Sequence, residues 1–189
     1  MIFATPSLDA QELAVLAQID ELKITLRAQL NEPRRWTGSL RRLSFARNIR
    51  GSNSIEGFDA TLDDTAAVAL GEEPLDASRA TQQALEGYRN AMTYVLQLAQ
   101  EPRVEASESL IKSLHFMMTH YDLKNSPGRW RPGAIFVRDE QSGQVVHEGA
   151  DVEEVPALMA QLVTELNGLN GDSVDPPIIR AAMAHLTSS

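Results

Sequence analysis

Apolar residues recur at helical spacing along most of this chain, and breaker residues cut the pattern into segments. Val15, Ile19, Leu22, Leu26 and Leu30 stand three or four apart, the spacing of one face of an α-helix. Asp9 and Glu12 precede them in capping-box order, which predicts a helix that starts near Asp9 and closes at Pro33. A second helical stretch is expected from about Ser39 to Glu56 with Leu40 and Leu43 facing inward, although Gly51 weakens the pattern over its last turns. "TLDDTAAVALGEEP" predicts a short helix begun by Thr61, with Asp64 in its first turn, and ended by Gly71 and Pro74. The next helix is long and carries Leu85, Tyr88, Met92, Val95 and Ala99 on one face.

Beyond Pro102 a further helix is predicted from about Ser107 to Tyr121, bearing Leu110, Ile111, Leu114 and Met118. "NSPGRWRPG", with two prolines and two glycines, is loop. The period then changes: over residues 135–147, "IFV" and "VVH" flank Ser142 and Gly143, which predicts a hairpin with those two residues at its tip. Pro156 stands near the start of a helix bearing Leu158, Leu162 and Leu166, which "GLNGDSVDPP" is expected to break. Asp175, Pro176 and Pro177 then start a helix over "IIRAAMAHL". The fold class expected is mainly α, a helical bundle with one short β-hairpin. The last helix, with Ile178, Ile179, Ala182, Met183 and Leu186, is strongly apolar. Such a helix needs a partner surface, so either the earlier helices supply it or the sequence is a fragment; the expectation is a fragment.

Composition narrows the classes. A chain of 189 residues with 43% hydrophobic content can bury one sizeable core. The expected division is residues 1–60, N-terminal helices, and 61–189, the remaining core with the hairpin near 135–147. Lys plus Arg number 17 against 26 Asp plus Glu, a net charge of -9, which argues against non-specific nucleic-acid or membrane-surface binding by the chain as a whole. The local exception is Arg34, Arg35, Arg41, Arg42, Arg47 and Arg50, together with Trp36 and Phe45. That stretch reads either as an anion-binding face or as solvated arginines, and the global charge favours the second. Cysteine is absent, so thiolate chemistry is excluded and a metal would need His or carboxylate ligands. His115 and His120 are five apart rather than four, and His147 and His185 have no ligand at diagnostic spacing; no metal site is expected. The start, "MIFATPSLDAQEL", has no charged region followed by an apolar one, and no apolar run approaches a membrane span. A cytoplasmic location is expected.

The candidate chemistry lies in "SNSIEGFD". Ser52 and Glu56 are four apart and Gly57 follows, so the two side chains can share a helix face and the glycine suits the left-handed residue that ends a helix. Two readings are open on spacing alone: a regulatory pair, or a frayed helix end with a solvated glutamate.

Taken in order, several pieces resemble the Fic family of AMP-transferring proteins, in the subclass whose inhibitory helix precedes the Fic core. "SNSIEG" matches the inhibitory pattern of Ser or Thr, three residues, Glu, then Gly or Asn. "TLDD" with "ALGEEP", "ALEGYRNAMTYV", and "LHFMMTH" leading into "PGRWR" follow in the family's order. "IFVRDEQSGQVVHEG" resembles the family's flap hairpin, "VPALMAQLVTELN" the helix after it, and "PPIIRAAMAHL" the helix that leads to the active site. The family's catalytic motif, H-x-F-x-D-G-N-G-R-x-x-R or its E variant, does not occur, and His185 matches the preceding helix rather than the motif histidine.

The resemblance implies a Fic-like helical bundle and the inhibitory and flap portion of a protein adenylyltransferase, with ATP and Mg²⁺ as cofactors and a protein hydroxyl, its own or a target's, as AMP acceptor. No catalytic residue is assigned within the chain, and the chain alone is expected to be inactive. By resemblance Glu56 pairs with the last arginine of the motif and takes the place of the γ-phosphate, Ser52 orients the turn and Gly57 lets the chain leave. The flap, at Phe136, Val137, Val145 and Val146, docks an extended target segment, or else only covers the core. AMP removal or another phosphate transfer remains compatible with the family. A truncated relative that serves as a non-catalytic interaction module is the alternative.

Overall fold

The computed structural model describes residues 7–30, 37–139, 142–172 and 176–188. Helix α1 (Ala10–Leu30) begins with the capping box its sequence predicts. The Asp9 carboxylate accepts the amides of Gln11 and Glu12 at 2.8 Å each, and the Glu12 carboxylate accepts the Asp9 amide at 2.8 Å. Its apolar residues do not gather into a buried stripe: Leu13, Val15, Leu22, Ile24 and Leu26 are all about half exposed or more. At 100° per residue, Leu13 and Ile24 lie opposite Leu22, so the apolar residues of α1 spread around the helix; Leu16 and Ile19, half-buried, line a cleft with Ile178, Ile179 and Ala182. Pro33, Arg34, Arg35 and Trp36 lie outside the described residues.

Helix α2 (Thr37–Ile55) runs straight through Gly51 and buries Ala46, Ile49 and Asn53. Leu40 and Leu43, expected inward, are 45% and 37% exposed. The buried stripe belongs to the second half of the helix, where α3 (Leu62–Leu70) and α4 (Arg79–Leu98) pack against it. Helix α3 starts on Thr61, whose hydroxyl oxygen accepts the Asp64 amide at 3.0 Å, and ends on Gly71 in the left-handed region. Asp64, buried, accepts the Thr61 hydroxyl and the Leu75 amide at 2.8 Å each and the Asp76 amide at 3.2 Å. One carboxylate therefore ties the start of α3 to the loop beyond its end.

Ser78 caps α4, accepting the Thr81 amide at 3.1 Å. Thr81, Ala84, Leu85, Gly87 and Ala91 are buried, but the face turns outward beyond Ala91, and Val95 and Ala99, expected inward, are exposed. Ile49, Val68 and Leu85 are fully buried against one another, with Phe45, Ala60, Ala69 and Tyr88 packed around them. This core joins α2, α3 and α4.

Helix α5 (Glu108–Thr119), capped by Ser107, crosses α4 at Gly87 and stops two residues before the expected Tyr121. A Cβ on Gly87 would lie 2.6 Å from the Met118 carbonyl oxygen and 2.9 Å from that of Met117, so only glycine permits this approach. A 3₁₀ turn (Leu123–Asn125) leads into the loop. Strands β1 (Phe136–Arg138) and β2 (Val145–Glu148) then pair antiparallel, Phe136 opposite Glu148 and Val137 opposite His147, with an irregularity between Val137 and Arg138.

Helix α6 (Val155–Asp172) ends within "GLNGDSVDPP", the stretch expected to break it, but runs on through Gly168 and Gly171 first. Its two glycines each cost about 1 kcal/mol relative to alanine but remove no hydrogen-bond donor, so the helix continues. Asn167 on α6 accepts the Ala106 amide and donates to the Ala106 carbonyl, both at 2.8 Å, which staples the chain ahead of α5 to α6. Helix α7 (Pro177–Ser188) closes the described chain; its expected start residue Asp175 lies outside the described residues. The fold is mainly helical with one two-stranded hairpin, the class expected.

Gly87→Ala should lower stability by about 1–2 kcal/mol, because overpacking against backbone carbonyls outweighs the better helix propensity of alanine. Denaturant unfolding measures it, and a stabilised variant would refute the close crossing. The Thr61 hydroxyl and the Asp76 amide, with Leu75, hold the Asp64 carboxyl below its usual range against the opposing effect of burial. The unfolded chain therefore protonates Asp64 first, so its contribution is complete above the ordinary carboxylate pKa and is lost as pH falls through the lower folded value. Unfolding midpoints measured from about pH 5 to about pH 2 should fall less steeply in Asp64→Asn than in the parent.

Candidate functional site

The second helix ends in a turn whose backbone is fully specified. The Phe58 amide donates to the Asn53 carbonyl at 3.0 Å and the Gly57 amide to the Ser54 carbonyl at 3.2 Å, the two bonds of a Schellman motif. Gly57 supplies the left-handed residue this requires, with φ of 81°. Asn53, buried, also donates from Nδ2 to the Ile49 carbonyl at 2.9 Å. Across the turn, Arg50 Nε donates to the Ala60 carbonyl at 3.0 Å.

Glu56 stands in the middle of this braced turn and is exposed. Its amide is bonded to the Asn53 carbonyl at 3.1 Å, while its carboxylate makes no hydrogen bond or ion pair among the described residues. Ser52 and Glu56 do not meet. Among the described residues no hydrogen bond joins them. The Ser52 hydroxyl donates instead to the Tyr88 hydroxyl at 2.8 Å, and Tyr88 donates to Asn48 Oδ1 at 3.2 Å.

The flap residues form a second group, joined to the first by no hydrogen bond or ion pair among the described residues. Phe136, Val137, Val145 and Val146 are between 46% and 64% exposed. Each strand has one partner only, so both outer edges of the hairpin carry free backbone groups among the described residues. Its base is clamped: the Arg131 guanidinium donates to the carbonyls of Gly133 and Ala150, and the Gly149 amide to the Ile135 carbonyl at 3.0 Å. Its tip is held by Asp139, whose carboxylate accepts the Ser142 amide at 2.7 Å and the Ser142 hydroxyl at 2.8 Å. At the base of the hairpin a cavity of about 440 Å³ is lined by His115, Arg129, Trp130, Ile135, Leu158 and Met159 among others.

The histidines occupy separate places. His115 accepts the Gly128 amide through Nδ1 at 3.3 Å, His120 stacks on Phe116 with ring centroids 5.7 Å apart, His147 lies in β2 and His185 in α7. Among the described residues no group of three or more His, Asp or Glu could hold a metal ion. Of the described arginines in the basic stretch, Arg50 bonds the turn and Arg42 donates to Ser39 Oγ at 3.2 Å. No described helix is long and apolar enough to cross a membrane.

Sequence reasoning missed the parts played by Asn48, Arg50 and Tyr88. Along the sequence Tyr88 is one member of an apolar stripe; the signal that could have found its role is the four-residue spacing of Asn48 and Ser52, two polar side chains on one face of a helix with nothing local to bond.

No family model and no curated protein matches the sequence. In three dimensions the chain is similar to a Fic family protein from Desulfovibrio desulfuricans G20, known from its crystal structure, with a TM-score of 0.71 and 23% identity over 98% of this chain and 52% of that one. The chain has a Fic-like fold. It spans about half the length of that structure. Within this Fic-like fold the exposed glutamate sits on the turn between α2 and α3, and the hairpin lies between α5 and α6.

A Cβ on Gly57 would meet nothing within 4 Å, so the cost of replacing it is conformational alone. Gly57→Ala should destabilise the end of α2 by about 1–2 kcal/mol and Gly57→Asn by less, since asparagine tolerates the left-handed region. Equal unfolding midpoints for parent and Gly57→Ala would refute that conformation in solution.

Proposed function

We propose that these residues are the inhibitory and flap portion of a Fic-type protein adenylyltransferase, which transfers AMP from ATP to a protein hydroxyl. The observation that carries the reading is Glu56: a carboxylate without a partner among the described residues, exposed on a turn whose amides at 56, 57 and 58 are all bonded, in a chain with a Fic-like fold. A rigid turn that presents a free carboxylate suits an arginine supplied from elsewhere, because a guanidinium takes both carboxylate oxygens in one planar contact. Preorganisation of the turn means that little conformational entropy is lost when that contact forms.

The described residues include no group of side chains that would hold Mg²⁺, and the sequence has no H-x-F-x-D-G-N-G-R motif. In this reading the transfer chemistry comes from residues outside these 189, and no catalytic step is assigned to them. The hairpin contributes docking. Its free edges offer main-chain donors and acceptors to an extended segment of the acceptor protein, and Phe136, Val137, Val145 and Val146 flank that segment.

A non-catalytic interaction module is the second reading, favoured by the apolar residues that α1 leaves exposed. One experiment separates the two. In a protein extended through an intact motif, Glu56→Gly should raise AMP transfer from α-phosphate-labelled ATP by on the order of tenfold or more, the equivalent of losing one charge-assisted pair. Unchanged labelling would overturn the role of Glu56, and no labelling by either protein would favour the interaction module.

A further inference from the structure

The ring of Tyr88 packs against the core of Ile49, Val68 and Leu85, and its hydroxyl reaches α2. That single oxygen accepts from Ser52 at 2.8 Å and donates to Asn48 at 3.2 Å. Asn48 and Ser52 are one helical turn apart, so the hydroxyl spans a full turn of α2 just before its end. Apolar contact holds α2 against α3 and α4 but is non-directional, and it tolerates small rotations of the helix about its axis. Two hydrogen bonds to one point do not, because each is directional and they act at different heights along the helix.

This brace reaches Glu56 through Asn53, the residue directly after Ser52, whose carbonyl accepts the amides of both Glu56 and Phe58. A rotation of α2 at Ser52 therefore carries Asn53 with it and re-aims the turn that bears Glu56. We infer that Tyr88 is a positioning residue for Glu56: its hydroxyl holds the last turn of α2 in the orientation that presents the carboxylate. The inhibitory consequence rests on the reading of Glu56 given above; the positioning itself does not.

Tyr88→Phe isolates the hydroxyl because the ring, and with it the core contact, remains. Asn48 is exposed and Ser52 only half-buried, so both can take water in the variant and the global cost is small. Amide hydrogen exchange on the 189-residue chain reads the result. Exchange at Glu56, Gly57 and Phe58 should quicken by about tenfold, while exchange at Val68 and Leu85 stays at the parent rate. Ser52→Ala should reproduce the effect, and the double variant should add little to either single change. Uniform acceleration through α2, α3 and α4 would show a merely structural tyrosine and overturn the inference, as would unchanged protection at residues 56–58.

In the protein extended through the motif, Tyr88→Phe should recover part of the rise in AMP transfer that Glu56→Gly causes and add nothing to that variant. If Glu56→Gly has no effect while Tyr88→Phe still loosens residues 56–58 alone, the inhibitory reading fails and the positioning stands. If Glu56→Gly raises transfer and Tyr88→Phe changes neither transfer nor exchange, the positioning fails alone.

Discussion

Ile49, Val68 and Leu85 come from three helices and meet in one contact from which water is excluded, and the placement of Glu56 depends on it. Most of a helix's stability in a protein comes from tertiary packing rather than from its own propensity. Burial of each such side chain contributes about 1.5–3 kcal/mol, which makes this small cluster the force that brings α2, α3 and α4 together. Only after that contact forms can Tyr88 reach Asn48 and Ser52, or Arg50 reach across to Ala60. The polar bonds then add direction to a contact that by itself has none.

Two carboxylates close to this core show opposite uses of the same group. Asp64 is buried and its oxygens accept one hydroxyl and two amides from its surroundings, so its charge is consumed in holding the loop after α3. Glu56 is exposed, and its amide is bonded while its carboxylate oxygens have no partner among the described residues. Such a division holds a charge in a defined place without neutralising it: the surrounding framework is satisfied while the carboxylate stays exposed. The hairpin has the same plan. Arg131 and Gly149 clamp its base and Asp139 its tip, while its strand edges and apolar side chains face outward. In both places hydrogen bonds hold the ends and the middle stays exposed.

Local rules made much of this legible. The capping box of Asp9 and Glu12, the caps at Thr61 and Ser107, the left-handed glycines at the ends of α2 and α3 and the hairpin about Gly143 were all readable because the partners lie within a few residues of each other. The same is true of the site only in part. Glu56 and Gly57 stood out as a helix end, yet the Ser52 hydroxyl bonds Tyr88 from a distant helix rather than Glu56, which spacing allowed. The Asn167 staple to Ala106 spans 61 residues and the Tyr88 bridge 36, and no periodicity records either of them.

By itself, then, the sequence determined where most helices begin, where several end and that one hairpin interrupts them, since capping, turn geometry and side-chain period are properties of neighbours along the chain. Tertiary structure alone decided which faces are buried. Leu40, Leu43 and Val95 share their helices' apolar spacing with residues that are buried, yet each is more than a third exposed. Gly87 is an ordinary helix glycine in the sequence, and only the crossing of α5 gives it a reason. Burial and close approach depend on what arrives from distant parts of the chain, and that is fixed when the helices meet rather than when each one forms.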